Sequence, residues 1–395
     1  MTVVNERALD PGAVDDGVWD AMVTRNLTRL PELVELGRTL RGEGVGERHV
    51  DALASAVDAL PRAKSAAVVA DPLYSHWSSK VSRNSDARWI LELGRLILLP
   101  HLRGGTLPAS GVFVPVHADA AVHVPGLDRV RAPGTLAGAI TRLAVEEDLL
   151  VMGAPETTVV GPVDRLVDAE RRRRSGAAGV FADGSDPWAT GVLTAMNDAP
   201  RVGPYPRRDI TPLPEPGDDL RATFAEALRL LAGTWPEAHA EVTRYTTLIV
   251  PFHSRYLLGW STPLFQGAAF IRAAPGDVLF TFERIVHESA HQRLFAIQRS
   301  VRIHDDPPGR RLPSALRKDP RPTAGVYHAA FVCGRLVQAF ARALERPLGE
   351  QWEQRYEQLT GAYFDMSETL HTHASLTRIG RDMLTNLDGR VRAAI

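Results

Sequence analysis

The chain has 395 residues, of which 44% are hydrophobic and 24% charged, and a formal net charge of -1. That length implies two domains, or one large one, with ample capacity for a buried core, and the balanced charge excludes the basic field of a nucleic-acid binder. A single cysteine, Cys333, excludes an intramolecular disulfide, and no stretch has the apolar length of a signal peptide or membrane span, so a cytoplasmic protein is expected.

The first hundred residues read as helical. Val18, Met22, Val23, Leu27 and Leu30 recur at helical spacing, and Val50, Leu53, Val57 and Leu60 repeat the pattern before Pro61. Trp89 to Leu99 predicts a further apolar helix, stopped by Pro100. Val112, Val114 and Val116, then Val122 and Val124, alternate as in a strand pair; Leu149 to Met152 and Thr157 to Val160 are also strand-like. The basic run Arg171 to Arg174 reads as a solvated loop, with a docking patch for an acidic peptide as the sharper alternative. From Met196 to Gly217 the chain carries prolines at 200, 204, 206, 212, 214 and 216, which places a domain boundary there. Residues 1–217 are therefore expected to form a mixed α/β domain and residues 218–395 a mostly helical one, α+β overall.

In the second half, Leu220 to Leu231 predicts a helix, and Thr246 to Phe252 and Phe265 to Ile271 predict strands. Val278 to Arg299 predicts one uninterrupted helix with Asp277 as its N-cap. A proline-rich loop follows (Pro307, Pro308, Pro313, Pro320, Pro322), then long helices over Thr323 to Leu344, Leu348 to Met366 and near Ser375 to Leu387. Cys333 lies in an apolar helical run, which predicts a buried thiol.

The helix from Val278 carries His287-Glu288-Ser289-Ala290-His291. Histidines four apart share a helical face, so their imidazoles can converge on one metal ion, while Glu288 sits a little round the helix, able to hold a metal-bound water or orient a ligand. Two histidines on one helix hold a metal weakly, so a third donor is required. The downstream histidine of metzincin peptidases is absent: the corresponding positions are Leu294 and Ile297. Glu353 and Glu357, the candidates for a thermolysin-like third ligand, lie in a very polar run typical of a solvated face. His328 is the stronger candidate, in an otherwise apolar helix with small neighbours; His304, His371 and His373 are weaker ones.

Arg335 follows His328 by two helical turns and is embedded among Phe331, Val332, Leu336 and Val337. A guanidinium in such company needs an anion, because it cannot shed its charge. That anion is either a structural partner in the fold or a ligand carboxylate near the metal; Arg321, at the mouth of the same helix, is a second candidate for the ligand role.

The HESAH helix, the Arg-Pro-x-x-Gly-x-x-His stretch from Arg321 to His328, and Arg335 together resemble the HExxH-type 2-oxoglutarate-dependent peptide β-hydroxylases of ribosomally made natural products. The resemblance covers about residues 280 to 340. It implies iron(II) on His287, His291 and a downstream histidine matched by His328, 2-oxoglutarate as cosubstrate, a precursor peptide as substrate and hydroxylation at a side-chain β-carbon. The N-terminal half would then have peptide docking as its role. Three histidines depart from the usual two-histidine, one-carboxylate oxygenase set. The alternative is a zinc peptidase in which Glu288 deprotonates the attacking water; a zincin-like order of strands, active helix and further helices suits both enzymes. A third reading is a non-catalytic peptide-binding component.

Overall fold

A computed structural model describes residues 17–40, 44–83, 86–127, 129–131, 136–153, 157–174, 180–198 and 209–395. In chain order its elements are α1 (Val18–Leu36), α2 (Glu47–Ala59), α3 (Arg62–Ala70), α4 (Pro72–Val81), α5 (Arg88–Leu91), α6 (Leu93–Gly104), β1 (Val112–Pro115), β2 (Val122–His123), β3 (Arg129–Val130), β4 (Ile140–Glu146), β5 (Leu149–Met152), β6 (Thr158–Pro162), α7 (Val163–Arg174), β7 (Phe181–Ala182) and α8 (Pro187–Asp198). There follow β8 (Thr211–Pro212), α9 (Asp218–Thr234), α10 (Pro236–Tyr245), β9 (Leu248–His253), β10 (Gly259–Trp260), β11 (Ala268–Arg272), α11 (Val278–Gln298), β12 (Arg311–Ser314), β13 (Arg317–Pro322), α12 (Thr323–Ala343), α13 (Glu350–His373) and α14 (Arg378–Ala393). The class is α+β. The chain divides into two compact units, one of residues 22–181 and 185–192, the other of residues 193–395 with 182–184 and the segment up to Ala21. The division falls near residue 193, earlier than the boundary expected from the prolines; Pro200, Pro204 and Pro206 lie outside the described residues.

In the first unit, an antiparallel sheet of order β1-β4-β5-β6 accompanies the helices. The alternating valines of β1 do form a strand, but its partner is β4 (Val112↔Leu143), while β2 pairs with β3. Alternation reports which face is buried and carries no information on which strand lies opposite. Pro100 sits inside α6 rather than ending it, and the helix runs on to Gly104. The basic run closes α7 instead of forming a loop. At the centre of this unit Arg95 is fully buried, bonded to Glu92 (2.7 Å) and Asp186 (2.6 Å) and stacked on Trp188 at 3.9 Å.

The second unit holds the HESAH helix. Its sheet has β10, β11 and β9 in sequence, with β11 parallel to β9 and β10 an antiparallel strand beyond β11. Both β9 and β11 are almost continuously buried, as strands covered on two faces must be. As expected, Asp277 caps α11, accepting from the Phe280 amide at 2.9 Å. The back of α11 is tied to the sheet by Gln292, wholly buried: its amide nitrogen donates to the carbonyls of Ala268 (2.5 Å) and Phe265 (3.2 Å), and its oxygen accepts from Gly267 at 3.1 Å. One residue away on the helix, His291 is rotated by about 100° from Gln292 and keeps part of its surface open. The segment expected as a proline-rich loop contains the hairpin β12–β13, with Pro313, Pro320 and Pro322 in its strands, a placement open to proline in a two-stranded ribbon. It leads into α12, whose Thr323 hydroxyl donates to Asp306 at 2.9 Å. Farther along α12, the Tyr327 hydroxyl donates to the Gly380 carbonyl at 2.8 Å, and Gly334 meets α14 so closely that an added Cβ would lie 2.8 Å from Leu387. These two contacts fix the rotation of α12, and with it the direction of His328. Cys333 is buried, as its apolar setting predicts.

Candidate metal centre

Helix α11 presents His287 and His291 on one side, with ring centroids 5.0 Å apart, and α12 brings His328 against His291. The His291 and His328 rings are stacked, 5.3 Å between centroids, and their Nδ1 atoms approach to 3.1 Å. Phe295, one turn beyond His291, closes the cluster with its ring 5.0 Å from that of His328. All three histidines keep part of their surface open while the helices behind them are buried. The structure places His328 beside His291, with His287 one turn away along α11.

Gln298 sets the chemistry of His328. Its side-chain oxygen lies 2.9 Å from His328 Nε2, and an amide oxygen can only accept. In the tautomer whose Nε2 donates to this oxygen, the lone pair of Nδ1 points toward His291. The packed helices hold all three imidazoles neutral: loss of hydration pulls the pKa of His291 down to about 3 and that of His328 to about 4, with His287 also held well below its ordinary value. A metal needs neutral imidazoles, and two nitrogens each about 2.0–2.2 Å from one ion are separated by about 3 Å, the spacing seen between His291 and His328. His287 Nδ1 is buried and has no hydrogen-bond partner. The donor set fits a metal ion. Among the described residues no three His, Cys, Asp or Glu side chains are grouped closely enough to hold a metal ion as they stand.

Glu288 sits a little round the helix from the histidines. It is 1% exposed and packs under β10, where the Ser261 hydroxyl donates to Oε2. A Cβ at Gly259 would lie 2.4 Å from Glu288 Oε1, so glycine is what lets the strand pass over the carboxylate. Burial pushes the Glu288 carboxyl up to about 7, against the opposing effects of Ser261 and Arg284. Its Oε1 stands 4.0 Å from His287 Nε2.

The two arginines singled out from the sequence are not in this cluster of contacts. Arg335 is 2% exposed and its guanidinium lies 3.0 Å from Glu241 on α10, a carboxylate it shares with Arg293; it also stacks on Trp235 at 4.4 Å. The anion required by its apolar setting is supplied from within the fold. Arg321 is exposed on β13 and makes no ion pair among the described residues. Glu353 and Glu357 are exposed on α13, His371 pairs with Asp388 at 2.8 Å, and His304 lies in an isolated bridge to Leu376.

Sequence reasoning missed Gln298, Ser261, Gly259 and Arg284. Gln298 follows His291 by seven residues and Arg284 precedes His287 by three, so both were reachable by extending the helical-face pattern that found the histidines. Ser261 and Gly259 come from a strand whose approach to α11 is a tertiary fact. No protein-family model matches the chain, and no curated protein matches it.

Proposed function

We propose that this protein is an iron(II)- and 2-oxoglutarate-dependent oxygenase that hydroxylates the β-carbon of a side chain in a ribosomally made precursor peptide. The observation that carries the reading is the convergence of neutral His291 and His328 nitrogens at 3.1 Å, oriented by Gln298, beside His287 on the same face. His287, His291 and His328 would hold the iron and leave its other positions to ligands. With iron(II) bound, the site gains the ability to divide dioxygen between two substrates: the 2-oxo acid loses carbon dioxide and becomes succinate, and a C–H bond becomes C–OH. The chain's own work is to orient His328 through Gln298, to exclude water behind α11, and to keep Glu288 enclosed under β10.

Glu288 separates this reading from the zinc peptidase. A peptidase base must meet a metal-bound water, whereas Glu288 is sealed beneath β10 and held by Ser261. What favours the peptidase is the carboxyl pKa near 7, which suits a general base. An antiparallel edge strand, β10, lies against α11, and that arrangement suits either chemistry. In the favoured reading the enzyme acts in the cytoplasm, and the first unit docks the peptide. Among the described residues no helix is long and apolar enough to cross a membrane.

Glu288→Gln tests the assignment. The glutamine keeps the hydrogen bond to Ser261 and should leave iron content and measurable 2-oxoglutarate turnover in place. Peptide cleavage by the zinc-loaded parent, abolished in Glu288→Gln, would instead establish the peptidase.

A further inference from the structure

The parallel strands β9 and β11 end side by side at His253 and Arg272, and just beyond them the Ala273 amide donates to the Phe252 carbonyl at 2.8 Å. An open cleft of about 440 Å³ lies at these ends, lined by Asp209, Thr211, His253, Ser254, Arg255 and Arg272. The carboxyl ends of parallel strands are where a sheet offers its loops to ligands. Asp209 is already engaged within the fold. Its Oδ1 accepts from the Ser254 hydroxyl at 2.9 Å and from the Arg255 amide at 3.0 Å, and its Oδ2 accepts from Arg255 Nε at 2.7 Å. The Arg255 bond foremost pulls the Asp209 pKa down to about 2, so this carboxylate stays ionised and offsets the charge of Arg255. Arg272 has no such partner. Its guanidinium lies over the Phe280 ring, 4.6 Å from the centroid, and forms no ion pair among the described residues. The ring fixes the plane of the guanidinium and leaves its N–H edge free. Two guanidinium ions against one carboxylate give the cleft an excess of one positive charge, with His253 neutral.

Phe280 also opens the stripe of α11 that continues through Arg284, His287 and His291. Arg284 comes within 6.0 Å of the Phe280 ring, and the His287 and His291 rings follow. From Phe280 to His287 the axis runs about 10 Å, the length of roughly three residues of extended chain. We propose that the cleft binds the carboxylate of an acidic residue in a peptide, held by Arg272, while a nearby residue of the same peptide lies over the histidines. The peptide part of this assignment rests on the oxygenase reading above. A single excess charge matches a carboxylate rather than a doubly charged phosphate. A cleft with polar walls holds a free acid weakly, whereas a peptide running along α11 adds its other contacts to the same anion.

Ligand-observed NMR of the full chain with N-acetylglutamate methylamide, and with its glutamine and phosphoserine counterparts, tests the assignment. The glutamate probe should bind at least about tenfold more tightly than the glutamine probe, and more tightly than the phosphoserine probe. Arg272→Met, whose thioether keeps a contact with Phe280, should bring the glutamate probe down to the level of the glutamine probe. Should Arg272→Met fail to fold, Arg272→Lys keeps the charge without the fork and should lose most of the preference. Metal-free protein should give the same result as the loaded protein. A glutamate preference in protein that takes up no iron would therefore overturn the oxygenase reading alone. A preference unchanged in a folded Arg272 variant, none in the parent, or tighter binding of the phosphoserine probe would overturn the assignment of the cleft.

Discussion

Arg335→Ala is expected to destabilise the second unit by about 3 kcal/mol, the lower end of the cost of breaking a buried ion pair. The guanidinium is 2% exposed and interacts with both Glu241 and Trp235. Alanine removes a cation from Glu241 and opens a void against the indole. The loss stays at the low end because Arg293 remains on the same carboxylate. Burial already strains the pair, pulling the Arg335 pKa down to about 10 despite Glu241. Denaturant unfolding measures the loss, and calorimetry of the folded variant should give parental affinity for 2-oxoglutarate. Parental stability with weakened 2-oxoglutarate binding would return Arg335 to the ligand.

The second large effect is acid sensitivity of the metal-free protein. His291 and His328 have folded pKa values of about 3 and about 4, below the unfolded value of about 6.5, and His287 is depressed in the same direction. Below pH 6.5 the unfolded chain takes up protons that the folded one refuses, so their contribution is complete above that value and is lost as pH falls toward 4. Glu288 acts oppositely: raised to about 7, it favours the fold below about 4.5 and loses that contribution as pH rises through 7. Between pH 6.5 and 4.5 three histidines oppose one carboxyl, and stability should fall on acidification. For His328 alone the loss is roughly 3 kcal/mol, at about 1.4 kcal/mol for each tenfold difference in proton affinity between the folded and unfolded chain. Comparing the pH dependence of unfolding in the parent and in a His291→Gln, His328→Asn double variant isolates the site from other buried histidines. Identical acid limbs in the two proteins would show that these imbalances do not exist.

What could be read from the sequence follows the range of each interaction. The extent of α11, its Asp277 cap and the shared face of His287 and His291 depend on neighbours within one or two turns, and all are found where the spacing puts them. The polar face of α13 and the burial of Cys333 follow from local composition in the same way. The pairing of β1 with β4 was not legible, because hydrophobic alternation is the same whichever strand lies opposite. The need of Arg335 for an anion was legible from its apolar neighbours, but the identity of that anion was not, since Glu241 is 94 positions earlier and on a separate helix. The covering of Glu288 by Gly259 and Ser261 is hidden for the same reason. His328 lies between these cases: its type and apolar setting marked it, and only the packing of α12 on α11 brings its nitrogen to His291.

The central claim is that His287, His291 and His328 bind one metal ion. Metal analysis of anaerobically purified parent and His328→Ala protein tests it most directly, with circular dichroism to confirm that both are folded. The parent should carry close to one iron per chain and His328→Ala should lose most of it, because two histidines on one helix hold a metal weakly. Full metal occupancy in folded His328→Ala would contradict the account.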